Sequence, residues 1–169
     1  MNKKIAQFMK CECEDNTPFH HIHATGSFGW RWMPDYVREQ GVDLAAQPRI
    51  EMREYIYDMP QVLAAADLII CRAGALTVAE VAAAGLPAIF VPLPHGNGEQ
   101  ARNADFLIEV GAGVLVPDQE LDGDRVVREV SRLFADPEAL ASMSQTCRKL
   151  VPADASVELA RLVIRAAQS

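Results

Sequence analysis

Two polar segments of the sequence carry the residues best suited to bind a charged or hydroxylated ligand. The first segment, residues 72–77 (RAGALT), joins a predicted buried strand to a predicted helix. Free N–H groups and the dipole at a helix start favour an anion such as a phosphate, although an ordinary strand-to-helix turn has the same spacing. Glu80 follows Thr77 by three positions, so it either completes a capping box or binds a pair of ligand hydroxyls.

The second segment is residues 95–103, HGNGEQARN. Glu99 and Asn103 are four positions apart and would share one face of a helix, with Gln100 beside them. Amides both donate and accept hydrogen bonds and a carboxylate accepts them, so this set can bind the hydroxyls of a sugar. A solvated loop followed by a helix cap would have the same composition, and both interpretations stay open on spacing alone.

A third group of residues suggests a metal site but does not complete one. His20, His21 and His23 lie near Cys11 and Cys13, yet His21 and His23 would share one strand face and His20 the other. No tetrahedral ligand set with the usual spacing emerges, so a structural zinc is the less favoured interpretation. The sequence also contains no Gly-x-Ser-x-Gly elbow and no G-x-x-x-x-G-K-[ST] phosphate loop.

The two polar segments are placed by a predicted strand–helix–strand unit. Residues 68–71 form a continuous apolar run, which is typical of a parallel strand covered on both faces. Residues 77–84 favour a helix that ends at Gly85, and residues 88–91 repeat the buried-strand pattern. The loops after both strands would open on the same edge of the sheet, where ligands bind in such folds.

Further strands and helices alternate along the rest of the chain. Strands are predicted at residues 19–24, 48–55 and 113–116, and helices at residues 1–10, 59–66, 100–110, 122–135, 138–150 and 155–167, while residues 27–40 are predicted as a loop that leads into a helix. In the helix at 100–110, Ala101, Ala104, Phe106 and Leu107 would face inward. The pattern predicts one α/β domain over residues 1–169, a Rossmann-like, doubly wound parallel sheet of about five strands with a helical C-terminal tail. A leading helix is unusual, because α/β domains commonly begin with a strand.

Composition limits the possible functions. The chain has 169 residues, of which 50% are hydrophobic and 23% charged, as in an ordinary globular domain. A formal net charge of −7 argues against a nucleic-acid partner, because a phosphate backbone would be repelled. No apolar run approaches the roughly 18 residues of a membrane span, and no signal peptide is evident, so we expect a cytoplasmic protein. Its four cysteines are not expected to form disulfides there.

The central stretch, ADLIICRAGALTVAEVAAAGLPAIFVPLPHGNGEQARNA, resembles the C-terminal half of the MurG family within glycosyltransferase family 28. The similarity continues in HATG at residues 23–26, YIYDM at 55–59 and GAG at 111–113, and so covers nearly the whole chain. These bacterial enzymes transfer N-acetylglucosamine from its UDP donor to a lipid-linked muramyl-pentapeptide, converting lipid I to lipid II in peptidoglycan biosynthesis. The resemblance implies an inverting GT-B transferase that needs no metal or other cofactor, with the donor held mainly by the C-terminal Rossmann-like domain.

The same resemblance implies which residues would bind UDP-N-acetylglucosamine. Ile56 would offer backbone groups to uracil, with Met59 packed nearby, and Glu80 would bind the ribose hydroxyls. The residues that would contact the diphosphate and the sugar are Arg72, Gly74, Ala75, Leu76, Thr77, Glu99, Gln100 and Asn103. The family usually has His or Gln at the position of Glu99, so a carboxylate here is expected to alter the sugar contact.

Parts of the family pattern are missing from this sequence. The chain begins after the family's first C-domain strand and its Gly-Gly-Ser loop, and the N-terminal domain is absent. That domain holds the acceptor site, the catalytic base and much of the face that associates peripherally with the inner side of the cell membrane. We therefore expect no catalytic residue here and no transferase activity of this chain alone.

Two alternative functions stay open: the donor-binding subunit of a two-chain N-acetylglucosaminyltransferase, and a module that only binds nucleotide sugars. A sugar-nucleotide epimerase is less favoured, because no catalytic acids are evident.

Overall fold

The computed structural model describes residues 1–150 and 154–168, and it contains alternating helices and parallel strands. These residues contain five strands: β1 (His21–Ala24), β2 (Ile50–Arg53), β3 (Ile69–Cys71), β4 (Ala88–Phe90) and β5 (Gly113–Leu115). The α-helices are α1 (Asn2–Glu14), α2 (Gly26–Trp30), α3 (Met33–Glu39), α4 (Met59–Ala65), α5 (Ala75–Ala84), α6 (Glu99–Glu109), α7 (Gly123–Phe134), α8 (Pro137–Leu150) and α9 (Ala155–Ala167). Short 3-10 turns occur at Leu44–Ala46 and Asp118–Glu120. The predicted α/β class is confirmed.

The chain divides into two compact units, each with its own sheet. The first unit comprises residues 1–65 and 116–137, and the second comprises residues 66–115 and those described between 138 and 168. Strands β1 and β2 pair in the first unit, and the second contains the order β3-β4-β5. The five strands are therefore divided between a two-stranded and a three-stranded sheet, and every pairing is parallel, as predicted.

Helix α1 forms much of the core of the first unit. It packs against α7 and α3, and Ile5, Ala6, Phe8 and Met9 are buried. The Gln7 side chain accepts a hydrogen bond from the Gly123 N–H at 3.3 Å. The Lys4 ammonium lies 3.1 Å from the Asp118 carboxylate. Burial along one helix face and polar bonds at its edge fix α1 to the start of α7.

The second unit is built around β4. Every residue of β4 is buried, whereas the residues of β3 are only half-buried, so the prediction that the β3 run is covered on both faces was wrong. The helix between them, α5, ends at Gly85, which has the predicted left-handed conformation with φ of 66°. Helix α8 is attached at that turn through a hydrogen bond from the Ser144 hydroxyl to the Gly85 carbonyl, 2.7 Å long.

Some helix faces differ from the prediction. Phe106 in α6 is 43% exposed, so its predicted inward orientation was wrong, whereas Ala104 and Leu107 are buried as expected. The apolar side chains of α9 are all exposed. In residues 1–150 and 154–168, no helix combines the length and apolar character that crossing a membrane requires.

The first unit also contains a histidine pair on β1, in which His23 is buried and His21 is half-buried. The His21 ring nitrogen Nδ1 lies 2.7 Å from the Glu12 carboxylate, which is itself buried. His23 lies 5.9 Å from His21 between ring centroids, and its Nε2 has no hydrogen-bond partner among the described residues. Burial, followed by the charges of His21 and the N-terminus, lowers the pKa of His23 to about 4.

We expect His23 to make folding sensitive to acid. Its pKa in the folded protein, about 4, is below the ordinary histidine value of 6.5, so the unfolded chain binds the proton more readily. Stability contributed by neutral His23 is complete above about pH 6.5 and falls by roughly 3 kcal/mol as the pH drops towards 4. Urea unfolding at pH 7 and pH 4.5 measures how much unfolding free energy is lost at the lower pH. This loss should be smaller for His23→Gln than for the wild type. His20→Gln, at an exposed position, should lose as much as the wild type. An equal loss in His23→Gln would contradict the assignment.

Candidate ligand-binding site

The start of α5 is not capped by a side chain. The helix begins at Ala75 with Gly74 as its N-cap, and the first backbone bond runs from the Val78 N–H to the Gly74 carbonyl at 2.9 Å. The N–H groups of Ala75, Leu76 and Thr77 precede that bond and have no partner within the helix. Thr77 is the third helical residue rather than the N-cap, so the capping-box interpretation of Thr77 and Glu80 was wrong. Both the free N–H groups and the helix dipole favour an anion at this point.

The neighbouring side chains at this start are accessible. Leu76 is 72% exposed, and Glu80, which lies about one turn further along α5, is also exposed. Thr77 is half-buried, with its hydroxyl facing Gly74. A carboxylate at the position of Glu80 can accept hydrogen bonds from hydroxyl groups of a ligand that lies along the first turns of the helix.

Arg72 joins the ends of β3 and β4. Its guanidinium donates hydrogen bonds to the Val91 carbonyl at 3.0 Å and to the Pro92 carbonyl at 3.1 Å. The side chain therefore fixes the point at which the chain leaves β4.

Helix α6 contributes the second polar segment. It begins at Glu99 after Gly98, whose φ is 71°, and the exposed Glu99 carboxylate lies in the first turn, where the helix dipole favours it. The Gln100 side-chain oxygen accepts a hydrogen bond from the Leu93 N–H at 3.0 Å. Leu93 lies between two prolines, which have no N–H, so its N–H is the only backbone donor of the segment Pro92–Pro94.

Asn103 brings the two predicted segments together. Its side-chain N–H donates to the Ala73 carbonyl at 3.1 Å, and Ala73 is fully buried in the turn that leads into α5. The structure thus places Arg72, the start of α5 and the first turn of α6 at one edge of the three-stranded sheet, beyond the carboxyl ends of β3 and β4. This is the edge at which ligands bind in open parallel sheets.

Ile56 and Met59, the two residues predicted to meet the uracil, belong to the first unit. Both follow β2, where Ile56 is half-buried and Met59 is 37% exposed at the start of α4. Arg53, the last residue of β2, bonds the Glu51 carboxylate at 2.7 Å and the Asp58 carboxylate at 3.2 Å. These ion pairs hold the segment that carries Ile56 close to the end of its strand.

Neither a nucleophilic thiol nor a metal cluster is present at these positions. Burial raises the pKa of the Cys71 thiol to about 12, so this residue at the end of β3 stays protonated and unreactive near neutral pH. Among residues 1–150 and 154–168, no group of three His, Cys, Asp or Glu side chains could hold a metal ion. His21, one of the residues considered for zinc, is paired with Glu12 instead.

The sequence pattern predicted that Arg72, Gln100 and Asn103 lie at one edge of the sheet, but it did not predict their hydrogen bonds. The hydrogen bonds of Arg72, Gln100 and Asn103 to loop backbone depend on which elements are adjacent in space. One local signal was available: the two prolines around Leu93 leave a single N–H that some acceptor must satisfy.

Comparison with known proteins shows the relatives of this chain. The glycosyltransferase family 28 C-terminal domain matches residues 1–159. A protein of Nocardioides sp., named UDP-N-acetylglucosamine–N-acetylmuramyl-(pentapeptide) pyrophosphoryl-undecaprenol N-acetylglucosamine transferase, is 49% identical over 143 residues, which are 85% of this chain and 38% of that protein. A protein of the same name from Cutibacterium acnes is 52% identical over 115 residues, 68% of this chain and 31% of its own length.

A solved structure gives the same result. The crystal structure of MurG from Acinetobacter baumannii is 29% identical, with a TM-score of 0.79, over 97% of this chain and 45% of that one. The chain therefore spans between 31% and 45% of the length of these three relatives.

Arg72 should contribute measurably to stability. Arg72→Met keeps the aliphatic stem but removes the donors to the Val91 and Pro92 carbonyls, so we expect the free energy of unfolding to fall by about 1–3 kcal/mol. Urea unfolding followed by circular dichroism measures this difference. Arg102→Met, at an exposed position of α6, is the matched control and should change stability by less than about 0.5 kcal/mol. Equal stabilities of the two variants would refute the structural role of Arg72.

Proposed function

The chain belongs to glycosyltransferase family 28, and from this we propose that it binds UDP-N-acetylglucosamine as the donor-binding part of a MurG-like transferase that converts lipid I to lipid II. The observation that carries the proposal is the uncapped start of α5, tied by Asn103 to α6, inside the region that matches the family. The names of the relatives support the identity of the donor sugar and of the lipid-linked acceptor.

Each part of the donor is assigned to groups of suitable chemistry. The diphosphate would accept hydrogen bonds from the N–H groups of Ala75, Leu76 and Thr77, next to Gly74 and Arg72. Glu80 would accept hydrogen bonds from the ribose hydroxyls. Glu99, Gln100 and Asn103 would lie around the pyranose. In the first unit, we assign Ile56 and Met59 to the uracil. Support comes from the accessible helix start, the exposed carboxylates and the amides described above.

The transfer step would follow an inverting course. The acceptor hydroxyl attacks the anomeric carbon of N-acetylglucosamine, the bond to the UDP oxygen breaks, and a general base takes the hydroxyl proton. Negative charge develops on the departing diphosphate, and the N–H groups at the start of α5 would stabilise it. We assign the base, the acceptor contacts and the peripheral association with the inner face of the cell membrane to the N-terminal domain of the family.

In domain terms, we propose that residues 1–169 form one GT-B C-terminal domain, the donor-binding part of the family. The match of the family over residues 1–159 includes parts of both compact units and supports this assignment. We place the protein in the cytoplasm, where a UDP-sugar donor is available.

Binding of the nucleotide can be tested through the ribose. Isothermal titration should detect binding of UDP-N-acetylglucosamine and UDP to the wild-type chain, and Glu80→Ala should weaken UDP about tenfold, because a hydrogen bond to a charged group is lost. The same substitution should cost less affinity for 2′-deoxy-UDP, which lacks one of the two ribose hydroxyls that Glu80 would bind. Glu109→Ala, at an exposed position near the end of α6, serves as the control. No binding to the wild type would overturn the proposed function, and equal losses for both nucleotides would overturn the role of Glu80.

The chain should bind the donor without transferring its sugar. Because the general base and the acceptor site are assigned to the N-terminal domain, we expect no formation of lipid II when the chain is incubated with UDP-N-acetylglucosamine and lipid I. A whole transferase of the family provides the positive control. Turnover by this chain would show that its own residues include a base and an acceptor site.

A further inference from the structure

Helices α2 and α3 carry a line of aromatic side chains beside the face that they bury. The residues that these helices bury are spaced by four: Gly29, Met33 and Val37. Phe28, Trp32 and Tyr36 each precede one of them by one position and form a second line next to the first. Phe28 is 79% exposed, and Trp32 and Tyr36 are half-buried. The second line therefore leaves apolar ring surface in contact with water, which is unfavourable unless something covers it.

A shallow cavity follows this aromatic line and lies entirely in the first unit. It has a volume of about 590 Å³, and its lining consists of the three aromatic side chains and four charged ones. The rings of Trp32 and Tyr36 meet edge to face, with their centroids 5.7 Å apart. The Lys3 ammonium lies 5.7 Å from the centroid of the Tyr36 ring. These contacts hold the rings in place, so an ordered apolar depression lies next to the exposed Phe28.

The charged side chains of the cavity balance one another. Lys3 and Arg31 are cations, and Asp35 and Glu39 are anions, so the lining is neutral although the chain has a formal net charge of −7. Two copies of an acidic chain repel each other in most orientations, but the repulsion is weakest where the facing surfaces are neutral. The cavity and the aromatic line, which we call the α2–α3 face, are therefore suited to contact with a second copy.

We propose that the α2–α3 face joins two copies of this chain in a dimer with twofold symmetry. A twofold interface requires a surface that is complementary to itself. The α2–α3 face has both a protruding ring and a cavity, and both cations and anions. With the axis between Arg31 and Asp35, each Phe28 enters the cavity of the other copy near Tyr36, and each Arg31 meets the Asp35 of the other copy.

The ion pair that Asp35 makes within its own chain does not prevent this contact. Its carboxylate lies 3.0 Å from the Arg38 guanidinium, and the two side chains are 73% and 74% exposed. Such exposed pairs contribute little to stability, so Asp35 can turn to Arg31 of the other copy at small cost.

Two charge reversals test the pairing of Arg31 with Asp35. Arg31→Glu and Asp35→Arg should each weaken the dimer about tenfold, because both ion pairs become repulsive. Net charge alone would weaken the first variant and strengthen the second, since the two change the charge in opposite directions. The double variant, and an equimolar mixture of the two single variants, should dimerise like the wild type, because every pair is attractive again. Failure of both to restore the dimer would overturn the pairing.

Sedimentation velocity measures these affinities at concentrations up to roughly 0.3 mM, where dissociation constants near 1 mM are still detected. Arg128→Glu, at an exposed position of α7, is the control for charge and should change the affinity less than about twofold. Circular dichroism of each variant confirms that folded proteins are compared.

The aromatic part of the face is tested separately. Phe28→Ser should weaken the dimer at least about tenfold, because burial of the ring is lost. Phe106→Ser, at an exposed phenylalanine of the second unit, is the matched control and should leave the dimer unchanged. Trp30 and Trp32 are the two tryptophans of the chain, so the emission of Trp30→Phe comes from Trp32 alone. That emission should shift to shorter wavelength as the concentration rises and the dimer forms.

A wild-type chain that stays monomeric up to roughly 0.3 mM would overturn the proposal. If the emission of Trp32 in that monomer shifted only when vesicles of phosphatidylglycerol were added, the face would bind a lipid surface instead of a second copy. The proposed donor binding is tested independently, since none of the residues of the α2–α3 face is assigned to UDP-N-acetylglucosamine.

Discussion

The backbone groups at the carboxyl ends of β3 and β4 must find hydrogen-bond partners outside the sheet, and side chains supply them. Arg72 bonds the carbonyls that follow β4, Gln100 bonds the Leu93 N–H, and Asn103 bonds the Ala73 carbonyl. Loops that leave a sheet edge are commonly mobile, because their backbone is solvated. Here three side chains fix the exits of two neighbouring strands, so the polar groups at this edge are preorganised before any ligand arrives.

That constraint bears on how an acidic protein would hold the proposed anionic ligand. The formal net charge is −7, which repels a diphosphate at long range, but screening limits this effect to about 8 Å at physiological salt. At short range the N–H groups that begin α5 dominate, because they are uncapped and point beyond the helix. Glu99 in the first turn of α6 adds a negative charge nearby and interacts favourably with the dipole of its own helix.

Local signals in the sequence predicted some features well and others poorly. Gly85 was expected to end a helix, and it adopts the left-handed conformation that favours glycine. The Thr77–Glu80 spacing predicted a cap that does not form, because α5 already begins after Gly74. Apolar character alone placed Phe106 inside, although neighbours that are distant in sequence decide which helix face is covered. The bonds of Asn103 could not be predicted for the same reason, since its partner lies 30 residues earlier in the chain.

The leading helix gives the clearest example of a feature that only packing explains. A leading helix is unusual in an α/β chain, and here α1 packs against α7 in the first unit. A Cβ atom added at Gly123 would lie 2.7 Å from the Gln7 Cβ, so glycine is needed where the two helices approach. The Gln7 side chain also accepts a hydrogen bond from the Gly123 N–H, which satisfies one of the donors at the start of α7. Residues 2–14 are therefore part of the core that supports β1 and β2, and the segment with Ile56 depends on them through that sheet.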